Sequence, residues 1–148
     1  MFIRDIQAQD QDIYMQMSKD FYHSDATLFA MTDEQLQATL QKALQNSPFL
    51  RLVIIEEEQK AVGYGLLAFY WSNEAGGMVT QLEEFYVLPE YRGKQLGSQF
   101  LNWLIDSYRD QTARFRLEIC SSNVGAKKLY EKYGFSTLDY IQMIKDMQ

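Results

Sequence analysis

Val87-Leu88-Pro89-Glu90-Tyr91-Arg92-Gly93-Lys94-Gln95-Leu96-Gly97-Ser98 runs from the end of an apolar strand, through a short basic loop, into the start of a helix. The first amides of a helix have no acceptor within it and carry partial positive charge, which suits a phosphate. Gly93 and Gly97 allow the backbone to approach a ligand closely, and Arg92 and Lys94 add charge-assisted hydrogen bonds. The stretch therefore predicts a ligand that carries a diphosphate. It is not a P-loop, because the Gly-Lys-Ser/Thr ending is absent, and it lacks the G-x-G-x-x-G pattern of dinucleotide folds. An ordinary turn with a solvated basic tip is the alternative reading.

Periodicity outward from this point orders the rest of the chain. Downstream, Leu96, Phe100, Leu101, Leu104, Ile105 and Tyr108 fall on one face of a helix. Residues 114–119 read as a strand and 124–133 as a helix stopped by Gly134, and 136–146 supply one or two closing strands. Upstream, 79–88 is a strand, 73–77 a turn, and 49–56 with 61–71 form a hairpin. Ile13, Tyr14, Met17 and Phe21 mark an amphipathic helix over about 8–22, after a short strand at 2–4. Leu36, Leu40 and Leu44 stack four apart in a second helix, opened by Thr32 and stopped by Asn46-Ser47-Pro48. The order β-α-α-β-β-β-α-β-α-β, with room for one more strand, is α+β: a mostly antiparallel sheet with at least one β-α-β crossover. Nothing in the sequence reads as a linker or repeat, so residues 1–148 are expected to form a single domain.

Composition narrows the function classes. Apolar residues make up 47% and aromatics 14%, as in a packed globule. No apolar run approaches the ~18–20 residues that span a bilayer, and no signal peptide is visible, so no membrane association is expected. The single cysteine, Cys120, forms no internal disulfide, which suits a reducing, cytoplasmic setting. A formal charge of -6, from 20 acidic and 14 basic residues, offers no basic face for nucleic acid and mildly favours a cationic partner, with a simple aid to solubility as the alternative reading. One histidine, His23, and one distant cysteine do not make a metal site, so no metal is expected.

The quoted stretch resembles the acetyl-CoA-binding signature of GNAT acetyltransferases, Arg/Gln-x-x-Gly-x-Gly/Ala after a strand ending in Val-x-Pro. A second element, Asn123-Val124-Gly125-Ala126-Lys127-Lys128-Leu129-Tyr130-Glu131-Lys132-Tyr133-Gly134-Phe135, is similar to the family too, as is the helix and strand between the two. The family's first motif glycine falls here at Gln95, whose side chain would hold the backbone away from a pyrophosphate, while Gly97 fits the second. The resemblance implies a sheet of six to seven strands, splayed between the fourth and fifth, with about four flanking helices.

It also implies site residues. The pantetheine arm of acetyl-CoA, the expected co-substrate, would pair with backbone near Phe85, Tyr86 and Val87, and the Val87 amide would polarise the thioester carbonyl. The pyrophosphate would lie on the amides from Arg92 through Gly93, Lys94, Gln95, Leu96 and Gly97 to Ser98. Asn123 would touch the pantetheine, or only cap the last helix, and Lys128, with Lys127, is a candidate for the cofactor's 3'-phosphate, a solvated helix face being the alternative. Tyr130 matches the family tyrosine that protonates the departing thiolate, and packing is its alternative. The stretch Leu82-Glu83-Glu84-Phe85-Tyr86-Val87 resembles the acidic strand of diamine and polyamine acetyltransferases, making Glu83 and Glu84 candidates for amine binding and water-relayed deprotonation. Strand alternation puts Glu83 and Glu84 on opposite faces, so only one would face the acceptor.

The expected activity is direct acetyl transfer from acetyl-CoA to a primary amine, with a small cationic amine such as a polyamine-like or aminosugar compound as acceptor. A peptide or protein amine acetyltransferase is one alternative, and a CoA-binding regulatory module without turnover is another. A homodimer is carried over only as a habit of the family.

Overall fold

Three strands rich in Val, Ile, Leu and aromatic residues hold the centre of the molecule: β2 (Leu50–Glu57), β3 (Lys60–Ser72) and β4 (Gly77–Val87). The computed structural model describes residues 1–147. Around the centre lie β1 (Phe2–Asp5), α1 (Gln11–Tyr22), α2 (Asp33–Leu44), α3 (Leu96–Tyr108), β5 (Arg114–Leu117) and α4 (Val124–Lys132). The five strands form one mixed sheet in sequence order, antiparallel except for the β4–β5 pair, which is parallel. That parallel pair requires a crossover, and α3 supplies it.

Helices cover both faces. Tyr14, Met17 and Phe21 of α1 and Leu40 of α2 pack with Leu52, Ile54, Tyr64, Leu66 and Tyr86 on one side. Phe100, Leu101, Leu104 and Tyr108 of α3 pack with Val53, Ile55, Leu67, Leu82 and Val87 on the other, with Leu129, Tyr130 and Tyr133 of α4 against them. The i, i+3, i+4 stripes of the sequence select these faces. α2 opens with a capping box: Thr32 Oγ1 accepts the Gln35 N–H at 3.3 Å and Gln35 Oε1 accepts the Thr32 N–H at 2.9 Å.

The structure corrects the strand count: the described residues form five strands, not six to seven. Residues 136–146, expected as one or two closing strands, form none. Their apolar side chains stand in solvent, with Ile141 94% and Met143 91% exposed. A strand needs a neighbouring ladder and a face to bury, and this segment has neither. The four α-helices and the mostly antiparallel sheet agree with expectation.

A second correction falls on β4. Leu66 pairs with Glu84 and Leu67 with Leu82, leaving Glu83 without a partner on β3. This β-bulge shifts the side-chain phase by one residue. Leu82 and Phe85 both pack on the α3 face, so Glu83 and Glu84 between them turn together to the α1/α2 face. The alternation that would have separated the two carboxylates stops at the bulge.

Candidate functional site

The parallel ladder between β4 and β5 ends at Leu82↔Leu117, whereas β4 continues to Val87. Beyond Leu82 the two strands leave a gap. The Leu88 N–H donates to the Val62 carbonyl at 2.8 Å, so by alternation Phe85 and Val87 turn their backbone groups away from β3 and into the gap. The Val87 carbonyl already accepts Arg92 Nε at 2.9 Å. Its N–H and the backbone groups of Phe85 remain for a ligand.

The gap opens into a cleft of about 680 Å³ at the N-terminus of α3. Phe85, Tyr86 and Val87 form one wall; Arg92, Gly93, Gln95, Leu96, Gly97 and Ser98 form the floor, and Asn123 faces them. Gly93 (φ 75°) and Gln95 (φ 62°) both adopt the left-handed conformation, which a β-carbon disfavours. Gln95 is the N-cap of α3 yet makes no side-chain capping bond, and the first turn carries no acidic residue. The first intrahelical bond near the start is Gln99 N–H to the Gln95 carbonyl, so the amides of Leu96, Gly97 and Ser98 lack helical acceptors. This end of the helix presents three free N–H groups and a positive dipole to the cleft.

Other sequence candidates sit differently. Arg92 stacks over the Tyr86 ring at 5.4 Å while it holds Val87. Lys94 lies over Tyr91, with Nζ 4.7 Å from the ring centre. Neither Lys94 nor Lys128, exposed on α4, lines the cleft. Asn123 Oδ1 accepts the Ala126 N–H at 3.2 Å, which caps α4 and leaves the side-chain amide nitrogen unbonded. Gly97 serves packing: a β-carbon there would meet Leu129 Cδ2 at 3.0 Å and Phe85 Cε1 at 3.6 Å.

Glu84 is buried, and its carboxylate accepts the Tyr64 hydroxyl at 2.7 Å and the Tyr22 hydroxyl at short range. Burial pushes its pKa above the ordinary carboxylate value, and the two tyrosines oppose the shift. Glu83 is exposed on the same face, beyond the last β4–β5 pair. Partial desolvation raises its pKa first, then repulsion from Glu118 and Glu84, with Arg116 pulling the other way. Arg116 also reaches the Tyr70 hydroxyl at 3.3 Å. The exposed carboxylate is therefore the one available to a solvent-borne cation, and the buried one is held by phenols.

Tyr130 lies half-buried in a neighbouring cleft of about 730 Å³, between β5 and the chain after α4, with Leu117, Ile119 and Phe135. Leu129, the residue before it, lines the α3 cleft. The Tyr130 ring meets Phe135 edge-on at 5.8 Å, and burial pushes its hydroxyl up to about 12. The phenol is thus a neutral proton donor at ordinary pH. Ser24 and Asp25, between α1 and α2, also border the α3 cleft.

Residues 12–135 match the model of the Acetyltransferase (GNAT) family. The chain belongs to that family. Among its GNAT relatives, a thialysine N-epsilon-acetyltransferase of Sus scrofa is 38% identical over 74 residues, covering 49% of this chain and 43% of the relative. A spermine/spermidine N(1)-acetyltransferase of Bacillus subtilis (strain 168) is 34% identical over 74 residues, covering 49% and 48%. The matches span under half the length of these curated relatives. The fold superposes on a crystal structure described as a possible acetyltransferase from Clostridium difficile 630, with TM-score 0.84, 18% identity and coverage of 99% and 97%.

Sequence reasoning missed Tyr22, Tyr64 and Tyr133. Tyr22 and Glu84 are 62 positions apart and Tyr133 and Ser98 are 35 apart, so no local pattern links them. Among the described residues no three His, Cys, Asp or Glu side chains gather as metal ligands do, and no helix is long and apolar enough to cross a membrane.

Proposed function

We propose that this chain transfers an acetyl group from acetyl-CoA to a primary amine in a ternary complex, and that the acceptor is a small cationic amine. One observation carries the reading: the β4–β5 gap runs from unpaired backbone at Phe85 and Val87 to the uncapped first turn of α3. A long, thin ligand with an anionic diphosphate fits both features, since amides at one end suit phosphate and strand edges along the rest suit an amide-bearing arm. The residues present fit acetyl-CoA, which supplies an acyl carbon activated as a thioester.

The chain's own groups then divide the work. The amides of Leu96, Gly97 and Ser98, with Arg92 and Lys94 nearby, hold the diphosphate. The backbone groups of Phe85 pair with the pantetheine arm, and the Val87 N–H donates to the thioester oxygen as negative charge develops there. Asn123 offers its free amide nitrogen to the same arm. Glu83 attracts the acceptor's ammonium and takes its proton through water, leaving a neutral nitrogen to attack the acyl carbon. The C–N bond forms as the C–S bond breaks, Tyr130 gives its proton to the sulfur, and the surplus proton on the new amide nitrogen passes through water to restore the phenol. Glu84, locked by Tyr22 and Tyr64, shapes the acidic face without touching the acceptor. The cationic acceptor is further supported by the net charge of -6 and by relatives named for thialysine and spermine.

The test is a panel of primary amines (polyamines, lysine analogues, aminosugars and peptides) assayed for free thiol release from acetyl-CoA, with melting temperature read in parallel. Ligand at ~100 times Kd should add about 2.7 kcal/mol of stability, and at least one small diamine or polyamine should turn over. No thermal shift at millimolar acetyl-CoA overturns the reading. A shift without turnover of any amine leaves a binding module in its place.

A further inference from the structure

The first turn of α3 has little within the helix to hold it. Its N-cap, Gln95, sits at φ 62° and ψ 17°, makes no side-chain capping bond, and is followed by a turn without an acidic side chain. Such an end frays unless something outside the helix pins it. The pin comes from α4. Leu129 of α4 and Tyr133, the residue that closes that helix, are four positions apart and meet consecutive residues of that turn. Leu129 Cδ2 lies close against the backbone there, 3.0 Å from an idealised β-carbon at Gly97. The Tyr133 hydroxyl donates to the Ser98 carbonyl at 2.8 Å. On the other side Phe85 of β4 lies 3.6 Å from the same idealised β-carbon, and its ring centre is 4.7 Å from that of Phe100. The turn whose amides face the cleft is therefore gripped between β4 and α4, and the Tyr133–Ser98 bond is its directional polar contact.

We propose that Tyr133 is a positioning residue for the cofactor's diphosphate: its hydroxyl fixes the orientation of the Leu96–Ser98 amides. The inference rests on the acetyl-CoA reading above. A carbonyl oxygen has two lone pairs, so Ser98 accepts from Tyr133 while it keeps its place in the helix. Loss of the hydroxyl lets the turn rotate and spreads the three N–H vectors, at little cost to packing, because the ring and Leu129 remain. Three amides that must converge on one anion are sensitive to such spread, and the reacting atoms lie at the other end of the gap, away from the turn. The same helix carries Asn123 at its N-cap, so the grip also keeps the two walls of the cleft in register.

Tyr133→Phe is the test, read by calorimetry with CoA, by steady-state kinetics and by amide exchange. The expected result is a three- to tenfold rise in Kd and in KM for acetyl-CoA, the effect of roughly one lost hydrogen bond. kcat should stay within about twofold, and the amides of Leu96, Gly97 and Ser98 should exchange faster. A lower melting temperature with unchanged Kd and unchanged exchange at these amides would make Tyr133 a packing residue and overturn the inference. Equal affinity for CoA in the variant and the unaltered protein overturns it while leaving the acyltransferase reading intact. Failure of the unaltered protein to bind CoA at all overturns both. Tyr133→Leu, which removes ring and hydroxyl together, should match the Kd change of Tyr133→Phe if the hydroxyl is what matters. A much larger loss in Tyr133→Leu alone assigns the effect to the ring and overturns the proposal.

Discussion

The Tyr64 hydroxyl, fully buried, donates to Glu84 Oε2 at 2.7 Å and ties the middle of β3 to the residue that follows the β4 bulge. Glu84 also receives Tyr22 from α1, so one carboxylate joins two strands and a helix. Its pKa is raised by burial, so its contribution to stability is full below the ordinary value of 4.5 and declines as pH rises through the folded value. Glu84→Gln keeps an acceptor and removes the charge. The difference in melting temperature between Glu84→Gln and the unaltered protein should shift in favour of the variant as pH rises above about 4.5. Glu84→Ala should instead lose about 1–3 kcal/mol for each tyrosine hydroxyl left without a partner, measured by urea denaturation at neutral pH. A difference curve that is flat with pH would show that Glu84 is not strained by its burial.

Gln95 occupies a left-handed conformation at the start of α3, where a β-carbon costs roughly 1–2 kcal/mol. Gln95→Gly should relieve that strain against the greater chain entropy of glycine, for a net gain of about 0.5–1 kcal/mol in urea unfolding. It should also tighten CoA binding, because the side chain no longer borders the cleft. A loss of stability would mean that the Gln95 side chain makes a compensating contact in solution.

Tyr130→Phe separates proton donation from packing. The hydroxyl, at about 12, stays protonated across the assay range, so no alkaline limb below about pH 11 should come from it. If it protonates the departing sulfur, kcat should fall by up to ~10²–10⁴ while KM for acetyl-CoA moves little. Wild-type turnover with chemistry rate-limiting would leave Tyr130 as the partner of Phe135 and nothing more.

Far from the cleft, Arg4 Nη1 and Nη2 bond both oxygens of Asp10, at 2.7 and 2.9 Å, and Arg4 Nε bonds Glu56 at 2.7 Å. Asp10 also accepts the Gln7 N–H at 2.8 Å. The guanidinium holds the Asp10 carboxyl below its ordinary value of 3.8, so this stabilisation is present above that pH and lost as pH falls through the folded value. Asp10→Asn should cost about 1–3 kcal/mol at neutral pH. In acid titrations followed by circular dichroism, the gap between variant and unaltered protein should narrow as pH falls below 3.8. A gap that stays constant through the acid range would assign the loss to hydrogen bonding alone.

Much of this molecule was written in local order. Helix stripes such as Leu96, Phe100, Leu101 and Leu104 record which side of a segment must leave water, and that record survives in one dimension because helix geometry is the same everywhere. The loop from Leu88 to Ser98 was legible for the same reason: a strand, two flexible positions and a helix start lie next to one another in the chain. Tertiary structure alone decided the rest. A bulge at Glu83 depends on what β3 and β5 offer opposite it, and one inserted residue turned both Glu83 and Glu84 to the same face. The segment after Phe135 alternates like a strand but found no ladder, because a strand exists only with its neighbour. The Tyr22–Glu84, Tyr64–Glu84 and Tyr133–Ser98 bonds span 62, 20 and 35 positions, and their partners are chosen by packing. Sequence determined which elements form and which faces they bury. Where two polar atoms from distant elements meet depends on how those faces stack, and no local pattern encodes that distance.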